Sequence, residues 1–451
     1  MSDRTAEFEL QQRRGRIQRH TQQLKTVDFF NVLTGPELLE STEEHLPAHR
    51  ERLYPPTVAL SMFIKQGLSA DRSCQQAVDS WAAQRAAEGL SVNSVGTGGY
   101  CQARQRLPTQ MVSALARQSA HLLSSQAPHQ WRWRDRCVKL VDGTGISMPD
   151  TPENQARYPQ PSSQAAGVGF PMARVVAVIC LSTGAVLDAA MGPLEGKGHS
   201  ELDLFRGLPE AFSGGDVMLA DALYCNYFLI ATLMARGVDV LFEQNGARIT
   251  DFRQGRKLGA RDHRVCWSKP KKCPQWMTPQ QFAAFPSQIS VRELDVGGRI
   301  LVTTLLDARK VGKKALLGLY TQRWHVELDL RSIKTTLGMD VLSCKTPSMV
   351  EKELGVYLLA YNIIRLLMAQ AAQQAGILPR QISFKHTVQL WTQWTLQGCG
   401  TSPEQRNTLL RLIAQCRVGA RPGRKEPRAR KRRPKSYDWL KVPRAQARQQ
   451  L

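Results

Sequence analysis

Apolar positions recur at helical spacing through the first part of the chain. Thr57–Gly67 carries Val58, Leu60, Met62, Phe63 and Ile64, and Ser69–Glu88 carries Cys74, Ala77, Val78 and Trp81. A further helix is expected over Gln110–Ser124. Val27–Leu39 reads as a short amphipathic segment broken at Gly35-Pro36. Gly98–Leu107 puts Arg104 and Arg106 close to a turn. From Pro56 to about Ser124 the pattern predicts a small all-helical domain with basic residues at its turns. Such a module can lay a helix in the groove of duplex DNA, or it can be a scaffold.

The period changes at Val138. Cys137–Val141, Ala173–Cys180 and Val186–Ala190 are short apolar runs bounded by turn residues, the last two joined at Gly184 as a hairpin. A helix over Glu201–Phe212, a strand over Asp216–Ala220, a helix over Tyr227–Arg236 and a strand over Val238–Phe242 follow. This is a mixed α/β core whose connections resemble the ribonuclease H arrangement. Residues 245–300 are polar and basic, with Trp267 and Trp276 among the cations and strands expected at Ile289–Leu294 and Arg299–Leu305. Cations interleaved with Trp predict DNA contact through charge and base stacking; a decorative surface insertion is the plainer alternative. Leu316–Lys334 predicts one helix, Met349–Ala372 a long core helix, and Ile382–Ile413 further helices. The expected division is 1–130 helical and DNA-end-binding, 137–244 first part of the core, 245–310 β-rich basic insertion, 311–375 core completion, 376–416 C-terminal helices and 417–451 a polycationic tail.

Charge narrows the partner. The 451 residues carry a formal charge of +23, which calls for a polyanion, nucleic acid before an anionic membrane. From Arg417 to Arg448 there are thirteen Lys or Arg against Glu426 and Asp438. That run predicts a flexible tail that clings to phosphates without reading sequence. Ten Cys without a CxxC pair fit reduced thiols in a cytoplasmic chain, and Cys266 and Cys273 lack a second pair for zinc. The N-terminus has no apolar signal core, and no run of about 18 apolar residues predicts a membrane span.

Chemistry concentrates on the helix at Leu316–Lys334. Tyr320, Arg323, Glu327 and Lys334 are spaced by 3, 4 and 7 residues. At about 100° per residue they fall within roughly 60° of one another. Taken alone, this is equally a solvated face laced with Arg323–Glu327 and Glu327–Arg331 pairs. Two more carboxylates change the weight: Asp142 and Asp221 each close an apolar strand and open a loop. Ligands collect beyond the carboxyl ends of strands in open sheets. Three converging carboxylates repel unless a cation joins them, and hard oxygens select Mg²⁺ or Mn²⁺, two of which can drive phosphoryl transfer.

The Tyr-x2-Arg-x3-Glu-x6-Lys spacing, with VDGTGISMPDTPENQARYPQP around Asp142 and DVMLADALYCNYFL around Asp221, resembles the insertion-sequence four family of bacterial DDE transposases. LRSIKTTLGMDVLSCKTPSMVEKEL and LLAYNIIR are also similar to that family. The resemblance implies a ribonuclease H-like α/β core with a β-rich insertion, preceded by an all-helical N-terminal domain and followed by helices and a basic tail. It implies Asp142, Asp221 and Glu327 as catalytic metal ligands for two Mg²⁺ or Mn²⁺ ions. Tyr320, Arg323 and Lys334 are expected to hold DNA phosphates, with Arg331, Lys345, Trp267 and Trp276 as further DNA contacts. The implied activity is excision and strand transfer of an insertion element at its terminal inverted repeats. The implied partners are duplex DNA and further copies of the chain in a synaptic complex. Many family members follow the second Asp with Arg, whereas Ala222-Leu223 follow here. A catalytically silent relative, a transposition inhibitor and a plain metal-dependent nuclease are the competing functions.

Overall fold

The computed structural model describes residues 54–419 and 440–450, apart from 88, 93 and 398–401. The expectations for Val27–Leu39 and for the basic run at 420–439 lie outside the described residues.

Four helices come first: α1 (Pro56–Leu68), α2 (Cys74–Ala87), α3 (Gly98–Arg106) and α4 (Thr109–Ser125). The expected turn near Arg104 is a helix, because Tyr100, Ala103 and Arg104 are drawn into the core. The Tyr100 hydroxyl donates to Gln66 at 2.9 Å, and so does Arg104 at 3.0 Å. Arg104 also lies 4.4 Å over the Phe63 ring. Its cation therefore serves helix packing.

The sheet begins with β1 (Val138–Ser147), followed after α5 (Pro152–Arg157) by the hairpin β2 (Met172–Cys180) and β3 (Val186–Pro193). Then come α6 (Glu201–Phe205), β4 (Val217–Ala220), α7 (Tyr227–Ala235) and β5 (Asp239–Glu243). The insertion supplies β6 (Arg256–Gly259), β7 (Asp262–Ser268), α8 (Pro279–Ala284), β8 (Gln288–Val296) and β9 (Arg299–Thr303). The chain continues through α9 (Lys313–Thr321), α10 (Trp324–Arg331), a π-turn at Ser332–Thr336, α11 (Pro347–Gln374), α12 (Phe384–Leu396), α13 (Pro403–Gln415) and α14 (Arg444–Gln449).

All nine strands form one open sheet in the order β3-β2-β1-β4-β5-β9-β8-β7-β6. β1, β4 and β5 are parallel, and the remaining pairs are antiparallel. The insertion thus lengthens the core sheet, because β9 pairs with the edge of β5, Phe242 opposite Val302. This is a ribonuclease H-like core with a β-rich insertion, helices before it and helices after it.

Both faces of the central strands are buried. Leu140, Ile146, Val175 and Ile179 face the side of α1–α4 and α9–α13, while Val141, Val176 and Val178 face α6, α7 and the insertion. Strands buried on both faces read as continuous apolar runs, which is the pattern of Ala173–Cys180. The long helix α11 is apolar enough to cross a bilayer, yet 83% of its most apolar window is buried inside the molecule. Asn362 on α11 accepts from Val186 N–H at 2.8 Å and donates to Ala116 and Val186 carbonyls, tying β3 and α4 to it.

Candidate active site

β1 and β4 run side by side, with Leu140 opposite Leu219. Two residues further along each chain are Asp142 and Asp221. Asp142 lies within β1, opposite Ala177 of β2, and not at a strand end as its Gly-Thr-Gly sequel suggested. The pairing with β2 continues to Ser147 and holds this stretch extended. Side chains alternate across a strand, so Asp142 shares the face of Leu140 and Ile146, beneath α10. Asp221 follows β4 directly, and its carboxylate caps the turn Ala222–Tyr224 by accepting from Leu223 N–H at 2.9 Å.

The expected single helix is two helices and a π-turn. α9 ends at Thr321, and α10 starts after Arg323. The break separates the functions of the stripe. Tyr320 is buried, and its hydroxyl donates to Glu243 of β5 at 3.0 Å. That hydroxyl is thus committed within the fold. Arg323 donates to Glu327 at 2.7 Å and stands 4.0 Å from Asp142. The π-turn brings Lys334 to the same cleft as Glu327. Asp142, Gly143 and Thr144 line one side of this ≈ 290 Å³ space, and Glu327, Arg331 and Lys334 line the other.

α10 is anchored from behind. Asp329, two residues after Glu327, is fully buried between the guanidinium groups of Arg365 and Arg380. Arg380 also donates to the Leu181 carbonyl at 2.8 Å, which locks the helix to the end of β2.

Burial pushes Asp142 up to about 6; the charges of Asp221 and Glu201 add to this, while Gly143 N–H and Arg323 oppose it. Glu201 of α6 was not anticipated in the sequence. Burial raises it as well, Arg174 opposes that, and Asp221 adds to it. Negative charge is therefore crowded around the β1–β4 junction, and a divalent cation is what such hard oxygen donors fit. Among the described residues no three His, Cys, Asp or Glu side chains stand close enough to hold an ion. Glu327 is instead drawn to Arg323.

A family model described as the transposase DDE domain matches residues 133–363, just over half of the chain. The chain belongs to the DDE transposases. A relative from Escherichia coli (strain K12), the transposase InsG for insertion sequence element IS4, is 29% identical over 354 residues, 76% of this chain and 78% of that protein. A cryo-EM structure of the piggyBac transposase synaptic complex with hairpin DNA aligns with 86% of this chain and 83% of its own, at 9% identity and TM-score 0.41.

In this DDE transposase Arg331 and Lys345 are exposed, and Lys334 is half-buried at the cleft. Trp267 differs from its expected role. It is 3% exposed, its indole N–H donates to Glu293 at 2.6 Å, and Arg248 lies 3.9 Å over its ring. No base can stack on it. On β7 it points inward, and its partner Glu293 lies on β8, a pairing the local sequence does not announce. Trp276 is 46% exposed, with Arg206 stacked 3.7 Å from its ring centre and Phe228 edge-on. Several insertion cations are already paired, Arg292 with Asp262 and Arg261 with Asp295 at 2.6 Å each.

Proposed function

We propose that this DDE transposase excises an insertion element at its terminal inverted repeats and joins it to target DNA by metal-dependent phosphoryl transfer. Asp142, Asp221 and Glu327 would hold two Mg²⁺ or Mn²⁺ ions. Such ions, when bound, activate an attacking oxygen and stabilise the leaving 3′ oxygen. The observation that carries the reading is the cleft where Asp142 faces Glu327, with Asp221 just past the end of the adjacent strand and Arg331 and Lys334 at the rim. The chain's own residues supply the rest. Arg331 and Lys334 draw the phosphate backbone over the acids. Arg323, paired with Glu327 and 4.0 Å from Asp142, would be free to take a phosphate oxygen when the acids are otherwise neutralised. Asp329 fixes the helix that carries Glu327.

The partners are the element's end duplex, a target duplex and further copies of this chain in a synaptic complex. The setting is the bacterial cytoplasm, on nucleoid DNA. The charge of +23 supports a DNA partner. The test is incubation with a labelled duplex bearing the element ends. Nicked and joined products are expected in Mg²⁺ and none in EDTA. Equal cleavage in EDTA, or none in Mg²⁺, would reject the proposal.

A further inference from the structure

Arg72 lies in the turn between α1 and α2, and Gly338 lies just past the π-turn that carries Lys334. The Arg72 guanidinium donates to the Gly338 carbonyl at 2.8 Å. Both backbones are left-handed, Arg72 at φ 58° and Gly338 at φ 85°. That region suits glycine and disfavours arginine, so Arg72 is held in it by its surroundings. Its carbonyl accepts from the Gln66 amide at 2.8 Å, and Gln66 in turn accepts from Tyr100 and Arg104 of α3. Gly338 is required for a second reason. A Cβ there would overlap the Arg72 guanidinium.

This latch bears on the cleft. After Gly338 the chain folds back, and the Met339 and Asp340 N–H groups donate to the Ile333 and Lys334 carbonyls of the π-turn. The Asp340 carbonyl accepts from Ser147 N–H at 3.0 Å, and Leu342 N–H donates to the Ser147 carbonyl at 2.9 Å. The stretch from Lys334 to Leu342 therefore joins the two walls of the cleft, since Ser147 ends the strand of Asp142. Arg72 is where the N-terminal helices grip it. π-turns recur at functional sites, and this one brings Lys334 to the space shared by Asp142 and Glu327.

We propose that Arg72 is a positioning residue: through the Gly338 carbonyl it fixes the π-turn and holds Lys334 where a DNA phosphate enters the cleft. The inference rests on the reading above, in which Lys334 draws in the phosphate backbone. It gives the N-terminal helices a part in the cleft without any contact of their own with the reacting groups. The Arg72 guanidinium also engages the Tyr357 side chain, which steadies it against α11.

The test is the affinity of the full chain for a labelled end duplex over a range of salt. Lys334→Ala removes one phosphate contact. It should weaken binding about tenfold and lower the slope of log affinity against log salt by about 0.9. Arg72→Met keeps the length of the stem and removes the donors. Gly338→Ala keeps every charge and displaces the guanidinium. Each should reproduce the loss seen in Lys334→Ala, the flatter salt slope included, and neither should weaken binding further in the Lys334→Ala background. Arg72→Lys can still donate to the Gly338 carbonyl and should recover most of the affinity. A role in folding alone would lower the thermal unfolding midpoint and leave the salt slope of the folded chain unchanged. Wild-type binding by Arg72→Met or Gly338→Ala, or losses that add to that of Lys334→Ala, would overturn the proposal. The two variants reach the latch by different routes, so if one does not fold the other decides. Binding needs no cleavage. Cleavage in Mg²⁺ by the wild type with an unchanged slope in Gly338→Ala would remove this inference and leave the transposition reading standing; the expected slopes without cleavage would do the reverse.

Discussion

Arg323 donates to Glu327 across 2.7 Å, and its other terminal nitrogen stands 4.0 Å from Asp142. One guanidinium thus spans the two acids that face each other over the cleft. It offsets part of their charge and is the group best placed to pass to a phosphate. Arg323→Ala should weaken end-duplex binding by about tenfold, the scale of one charge-assisted hydrogen bond. Cleavage should fall with it and recover in part at saturating protein. Titrating the variant against a labelled end duplex, with cleavage followed in parallel, checks this. Unchanged binding with abolished cleavage would place Arg323 in the chemistry itself.

Asp142 gives a pH signature in divalent-free buffer. Its folded-state pKa of about 6 lies above the ordinary 3.8. The folded state therefore holds the proton more tightly than the unfolded chain. The cost of ionising it is absent below about pH 4 and complete above about pH 6. Asp142→Asn should raise stability at pH 8 by up to about 3 kcal/mol and leave it unchanged near pH 4. Mg²⁺ should then stabilise the wild type and not the variant. Unfolding midpoints at the two pH values, with and without Mg²⁺, decide it.

Asp329 predicts a fold defect at a distance from the cleft. Asp329→Ala strands the buried guanidinium groups of Arg365 and Arg380. Removing one partner of a buried ion pair costs about 3–5 kcal/mol. Denaturant unfolding should show that loss. A change below about 1 kcal/mol would mean that water reaches both guanidinium groups.

The two tryptophans of the insertion should separate cleanly. Trp267→Ala empties a packed site and leaves Glu293 without its indole partner, for a loss of about 3–5 kcal/mol in stability. Trp276→Ala should leave folding near wild type and weaken DNA binding by about 1–3 kcal/mol, the scale of one stacked base. Unfolding and DNA-binding titrations on both variants check the contrast. Equal effects of the two on binding would show that Trp276 serves the fold as well.

The order of the core strands and the helices between them from Val138 to Phe242 was legible because apolar runs and turn residues mark it directly, whereas β6 and β7 at Arg256–Ser268 carry too many charges to read as strands. The site was legible in part. Spacing alone put Arg323 and Glu327 together, since four residues make neighbours on a helix. It could not show that Tyr320 turns away to Glu243, because that partner lies on β5, 77 residues distant. The Gly-Thr-Gly after Asp142 imitates a turn, and only its pairing with β2 keeps it extended. Glu201 reads as an ordinary acidic first turn behind a Ser cap. Its place beside Asp142 depends on the absent side chain of Gly143, a contact made through the fold.

The central claim is that Glu327 belongs to a metal-holding triad. Glu327→Gln keeps the side-chain size and removes one negative ligand. Cleavage and strand transfer on a labelled end duplex in Mg²⁺ should disappear in this variant, while duplex binding measured alongside stays at the wild-type level. Full cleavage and joining by Glu327→Gln would contradict the triad and leave the Arg323–Glu327 pair as a surface salt bridge.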